Sequence, residues 1–164
     1  RHRINCPLTS SMGRLFDAVS ALTGTCTRAT FEGQPAMELE GIAVSTADRY
    51  DFSLQGTIVD WREIIRGVCR DLSNGLPPSV ISAKFHNTIA TLIAEVCRQL
   101  RQETDLNDVV LSGGVFQNAR LIRRAAALLR REKFRIFFPQ KIPANDGGIA
   151  LGQAVVALRR RHQS

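Results

Sequence analysis

The chain has 164 residues, enough for one domain with a sizeable core, and 44% of them are hydrophobic, too many for a disordered segment. No stretch approaches the roughly 18 consecutive apolar residues of a transmembrane helix, and the opening RHRINCPLTSS lacks the apolar core of a secretory signal, so a cytoplasmic location is expected. The net charge of +7 would suit a nucleic-acid binder, but its excess is local: Arg120, Arg123, Arg124, Arg130, Arg131, Lys133 and Arg135 cluster together, Arg159, Arg160 and Arg161 close the chain, and elsewhere acidic residues slightly outnumber basic ones.

Met12, Leu15, Phe16, Val19 and Leu22 recur at helical spacing, with Ser10 or Ser11 placed to cap the start and Gly24 to end it. Gly13, Asp17 and Ser20 fall on the other face of that helix. Within residues 31–44 a Gly33-Gln34-Pro35 turn leads into a short helix, with Pro35 in its first turn. Residues 50–54 and 57–61 alternate around Gln55-Gly56, the pattern of a β-hairpin. Two helices follow, over 61–72 and 78–100, separated by Asn74-Gly75-Leu76-Pro77-Pro78; the second carries a stripe of Phe85, Ile89, Leu92, Ile93, Val96 and Leu100. After a polar loop over 102–108 the order is strand 109–111, helix 117–131, strand 135–138, helix 146–160, which implies parallel pairing of the two strands. The four cysteines, Cys6, Cys26, Cys69 and Cys97, are scattered without a CxxC pair and read as buried free thiols.

Two glycine-rich turns near the end stand out. In VVLSGGVFQN an apolar run stops at Ser112-Gly113-Gly114 just before an amphipathic helix; in PQKIPANDGGIALG another strand is followed by Asp146-Gly147-Gly148 and a helix. Adjacent glycines let a backbone pass close to a bulky ligand, and the N–H groups of a helix start attract an anion, so the pair suggests a nucleotide or acyl-phosphate site between the turns. On the helix after the first turn, Arg120, Arg123, Arg124 and Arg131 share the face opposite Leu121, Ile122, Ala125, Leu128 and Leu129. They read as a solvated face, with an acidic partner as the alternative; nucleic acid is not expected.

The segments SMGRLFDAVSAL, FEGQPAMELE, FHNTIA, LSGGVFQN and FPQKIPANDGGIALGQA, in this order, closely resemble the C-terminal part of the HypF family of hydrogenase-maturation carbamoyltransferases. The resemblance implies an α/β fold of the ASKHA type (actin and sugar-kinase-like), shared with the threonylcarbamoyl-transfer protein TsaD. The chain would be the second half of that domain, with residues 1–104 a mainly helical part carrying a hairpin and 105–164 a β-α-β-α part at the nucleotide site. A helical insertion, a short mostly parallel sheet and an open sheet edge are expected.

The resemblance also assigns roles. Gly113 and Gly114 would contact the nucleotide, Asn118 would bond adenine or ribose, Asp17 the ribose hydroxyls, and Gly33 would lie in a turn beside the ribose. Asp146, which on its own reads equally well as a helix cap, would ligate a divalent metal (iron, zinc or magnesium), with two histidines supplied by the first half of the domain. His2, His86 and His162 match no such motif and read as surface or structural residues. Gln34 and Arg14 stand where TsaD-like proteins carry glycine and glutamate, which favours HypF. The implied activity uses ATP and carbamoyl phosphate, made upstream into carbamoyl-adenylate, and passes the carbamoyl group to the C-terminal cysteine of a HypE-like acceptor. No residue reads as the catalytic nucleophile, which suits an external thiol. A small-molecule O-carbamoyltransferase and a non-catalytic nucleotide-binding remnant are the alternatives. Alone, the chain is expected to bind nucleotide weakly, to hold metal poorly, to be inactive and to self-associate as a homodimer or larger.

Overall fold

In the computed structural model, which describes residues 9–56 and 58–161, the first apolar stripe becomes α1, Met12–Leu22, burying Phe16 and Val19. Neither serine caps it: the Ser11 side chain makes no cap bond. Its end is closed by Thr23, whose hydroxyl reaches the carbonyls of Val19 and Ser20 at 3.0 Å each, and by Gly24 at φ +72°. Helix α2, Gln34–Gly41, starts from Gly33, held left-handed at φ +81° where a side chain would be strained. Gln34 stitches the approach to α2: its Oε1 accepts from the Thr30 N–H at 2.7 Å and its amide donates to Glu38 at 2.7 Å.

The hairpin forms as β1, Ser53–Gln55, and β2, Ile58–Asp60, antiparallel with Leu54 opposite Val59, and is shorter than the alternation suggested. Helix α3, Arg62–Ser73, follows directly. Gly67 on it has a packing reason: a Cβ there would lie 2.5 Å from the ring of Tyr50, which is buried and donates its hydroxyl to Asp71.

Helix α4, Pro78–Thr104, is the axis of the fold and runs one turn past the predicted end at Leu100. Tertiary contacts hold that extra turn. Arg98 pairs with Glu132 at 2.6 Å, and Arg101 donates to the Glu132 carbonyl at 2.9 Å and lies 4.0 Å from the centre of the Phe134 ring. The main core gathers Phe16, Val19, Leu39, Ile64, Val68, Phe85, Ile89 and Leu121 around α4. Phe85 meets Phe16 edge-on with centroids 4.8 Å apart.

Strands β3, Asp108–Val110, and β4, Arg135–Phe137, pair in parallel with Val109 opposite Ile136, and α5, Ala119–Arg131, connects them. One face of this pair joins Leu111, Leu129 and Phe134 in a second apolar cluster. Its other face is open, with Val110 68% and Phe137 50% exposed. Helix α6, Ile149–Arg161, buries none of its residues. The cysteine expectation is corrected in part: Cys26 is buried, Cys97 half-buried and Cys69 exposed, all three free; Cys6 lies outside the described residues. Among the described residues no helix is long and apolar enough to cross a membrane.

Candidate functional site

An open cleft of about 790 Å³ lies between the start of α1, helix α2 and the turn that enters α5. Gly13 and Phe16 contribute from α1, Gly33 and Glu40 from either end of α2, and Gly114, Asn118 and Arg120 from the far side. Three of the residues singled out by sequence, Gly33, Gly114 and Asn118, therefore share one wall system although more than 80 positions separate the first from the others. Asp17 stands one helical turn beyond Gly13 on α1 and is not in the lining; its carboxylate pairs with Arg14 at 3.2 Å.

The two glycines of the first turn do different things. Gly113 has φ +109°, which accounts for its identity, and its N–H donates to the Ala144 carbonyl at 2.7 Å, tying the first glycine turn to the loop that leads to the second. Gly114 lines the cleft, its φ lies outside the left-handed range, and a Cβ built there would meet nothing within 4 Å. The local fold gives no reason for glycine at 114. It leaves the backbone bare where the cleft passes it.

A helix does not begin at 117 as predicted. Residues Gly114–Gln117 form a 3-10 turn, and Asn118 is the residue that caps α5, with its Oδ1 accepting from the Leu121 N–H at 2.7 Å. Its Nδ2 donates to His86 Nε2 at 2.9 Å. The Asn118 amide is thus half committed to the protein, leaving one N–H and one lone pair.

The amino end of α5 is not open to an anion in the way the sequence suggested. The Arg120 N–H donates to the Glu40 carboxylate at 2.8 Å, so a negative side chain already sits at the positive end of the helix. In return the Arg120 guanidinium, expected on a solvated face, reaches back to the carbonyls of Ala43 (2.9 Å) and Val44, just beyond the end of α2. Glu40 thus satisfies a free N–H in the first turn of α5, and Arg120 satisfies carbonyls of the chain that leaves α2. The sequence carried no signal for this pair, which is 80 residues apart.

His86 was also missed as a site-associated residue. It is fully buried, its Nδ1–H donates to the Ser82 carbonyl at 2.7 Å, and Phe16 packs edge-on against it at 5.3 Å. Burial holds its pKa below the ordinary imidazole value, and the nearby Arg120 charge lowers it further against the opposing pull of the Ser82 carbonyl and Glu40. A Ser-x-x-x-His pair one helical turn apart, beside the apolar stripe of Phe85 and Ile89, was the available signal.

In the second glycine turn the cap comes from Asn145, whose Oδ1 accepts from the Gly147 N–H at 3.1 Å, so Asp146 is not the cap. Gly148 has no room for a side chain, a Cβ there falling 2.7 Å from the Pro143 carbonyl. Asp146 is exposed and outside the cleft lining. Among the described residues no group of three or more His, Cys, Asp or Glu is arranged to hold a metal, so these residues alone do not fit a metal centre. His2 and His162 lie outside the described residues.

Comparison with known proteins places this geometry. Residues 1–153 match the family model described as carbamoyltransferase, Kae1-like domain, second subdomain. The chain is 39% identical over 158 residues to the carbamoyltransferase HypF of Rhodobacter capsulatus, covering 96% of this chain and 21% of that protein. It is 34% identical over 165 residues to the HypF of Synechocystis sp., covering 97% and 21%. A crystal structure of full-length HypF in its phosphate- and nucleotide-bound form superposes with a TM-score of 0.87 at 45% identity, over 90% of this chain and 20% of that one. The chain spans about a fifth of the length of the relatives it matches. The fold is of the Kae1-like, ASKHA type.

Proposed function

This chain belongs to the HypF carbamoyltransferase family, and on that premise we propose that its cleft holds the nucleotide of a carbamoyl-adenylate during carbamoyl transfer. The observation that carries the proposal is Gly114, a glycine with no conformational or packing need to be one, which lines the same cleft as Gly33 and Asn118. Bare backbone at that point admits the ligand, as adjacent glycines do in other nucleotide-binding turns. The full-length HypF solved with nucleotide and phosphate supports the ligand class.

Each residue then has a task. Gly33 and Gly114 give the ligand room, and the uncommitted half of the Asn118 amide bonds adenine or ribose. Asp17, a turn from the cleft, offers a carboxylate to a ribose diol once Arg14 yields, and Gly113 fixes the turn by anchoring it to Ala144. Asp146 contributes at most one ligand to a divalent metal completed by residues beyond those described.

The group transferred leaves as a carbamoyl thioester: an external thiolate attacks the carbamoyl carbon, the bond from that carbon to the phosphate oxygen breaks, and AMP departs with the electron pair. None of the described cysteines lines the cleft, and burial raises the thiol pKa of Cys26 and of the half-buried Cys97, so the nucleophile we assign is an external thiol. The acceptor we propose is the C-terminal cysteine of a HypE-like partner, with carbamoyl phosphate and ATP as the ultimate substrates of the longer protein.

Calorimetric titration of the chain with AMP and ATP tests the cleft. Wild type binds, and Gly114→Val loses binding with an unchanged melting temperature, because valine enters open space rather than the core. A Gly114→Val protein that binds like wild type overturns the assignment.

A further inference from the structure

The Asn118 amide can bond a ligand only if its plane is fixed, and the structure shows what fixes it. The Leu121 N–H needs an acceptor, so Oδ1 must face it, and this leaves Nδ2 to face His86. His86 can accept there only as the neutral tautomer with the proton on Nδ1, which is the tautomer that its bond to the Ser82 carbonyl demands. Ser82 in turn donates its hydroxyl to the Leu39 carbonyl at 2.5 Å. A chain of buried bonds thus runs from α2 through α4 to the cap of α5, and it ends on a residue of the cleft wall.

We infer that His86 is a positioning residue for nucleotide binding: by accepting from Asn118 it sets which way the amide presents its free N–H and lone pair to the cleft. The inference rests on the nucleotide reading of the cleft given above. His86 itself, fully buried behind Asn118 and Phe16, does not touch the ligand. Burial keeps the ring neutral, as the role requires. Loss of the acceptor leaves the N–H of Asn118 that faced His86 unpaired, so the amide is held by its bond from the Leu121 N–H alone and its plane can turn about that bond.

The experiment is a double-mutant cycle on AMP affinity by calorimetry. His86→Leu is expected to weaken binding about tenfold, the size of one lost hydrogen bond, and Asn118→Ala by a similar factor. Because the two act through one amide, the double variant binds no more weakly than Asn118→Ala alone. His86→Gln, whose side-chain oxygen can take the place of Nε2, stays within about twofold of wild type. If His86→Leu fails to fold, His86→Asn serves instead: it can keep the bond to Ser82 but falls short of Asn118, and it shows the same tenfold loss.

Wild-type binding with an unaffected His86→Leu, or with strictly additive losses in the double variant, overturns the inference and leaves the cleft assignment standing. A wild-type protein that binds no nucleotide overturns both. The ¹⁵N imidazole shifts report the structural half directly: a protonated Nε2 in place of the Nδ1–H tautomer refutes the arrangement whatever the binding data show.

Discussion

Helices α5 and α6 are built on the same local plan and have opposite fates. Each has 13 residues, follows a strand and a turn with two glycines, and starts from an asparagine-capped or 3-10 segment. Yet α5 buries Leu121, Ala125, Ala126 and Leu129 while α6 buries nothing, leaving Ile149, Leu151, Val155, Val156 and Leu158 all at least half exposed. The difference is not hydrophobic content. Helix α5 puts its apolar residues on one stripe facing α4, and its amino end is pinned by Asn118 and Glu40; the apolar residues of α6 meet no such partner among the described residues. Shared local signals make a helix, and neighbours make it part of a core.

The sharpest way to break this comparison is one chemical change made twice. Leu129→Ala should cost about 2–5 kcal/mol in urea denaturation, as a fully buried leucine does, while Leu151→Ala should stay within about 0.5 kcal/mol. Equal losses would mean that α6 is buried in solution. Next come the two capping asparagines. Asn118→Ala should cost about 2 kcal/mol, because it removes the α5 cap and strands His86, whereas Asn145→Ala, at an exposed three-residue turn, should cost about 0.5 kcal/mol.

A smaller contrast lies within α5 itself. Arg120→Ala should cost about 1 kcal/mol through its lost bonds to Ala43 and Val44, and Arg124→Ala, on the exposed face, close to nothing; equal effects in thermal melts would return Arg120 to the solvated face. The smallest effect is that of mild acid. His86 has a folded pKa below its unfolded value near 6.5, so the unfolded state binds more protons as pH falls, and stability that is complete above about 6.5 declines below it, by less than about 1 kcal/mol at pH 6. Arg120 favours and Glu40 opposes this shift, both lying near the ring. Hydrogen exchange should show α4 and α5 loosening on acidification, and His86→Gln should flatten the response. Helix α6, with no Asp, Glu or His between 149 and 161 and no buried residue, should show little protection from exchange relative to an unstructured chain at every pH.

Periodicity was enough to place α1, α3, α5 and most of α4, and the strand-turn-helix order was enough to pair β3 with β4 in parallel. The candidate site was legible in pieces. Gly33, Gly114 and Asn118 were named from motifs and do meet on one cleft, whereas Asp17 sits a turn away, Gly113 spends its N–H on Ala144, and Asp146 lies outside the lining. Illegible were the pairs made between distant segments: Glu40 with Arg120, His86 with Asn118, and the Glu132 anchor that lengthens α4.

The reason lies in the range of the forces. Turn chemistry, helix spacing and glycine's freedom at positive φ act within a few residues, so residue order alone determined the elements, the glycine turns and the family motifs. Which polar groups would find each other across 30 or 80 residues depends on where packing of Phe16, Leu39, Phe85 and Leu121 brings the helix ends. Only after that packing does an unpaired N–H at the start of α5 meet Glu40 instead of a phosphate, and only then does a histidine that looked incidental in FHNTIA come to hold the amide of Asn118.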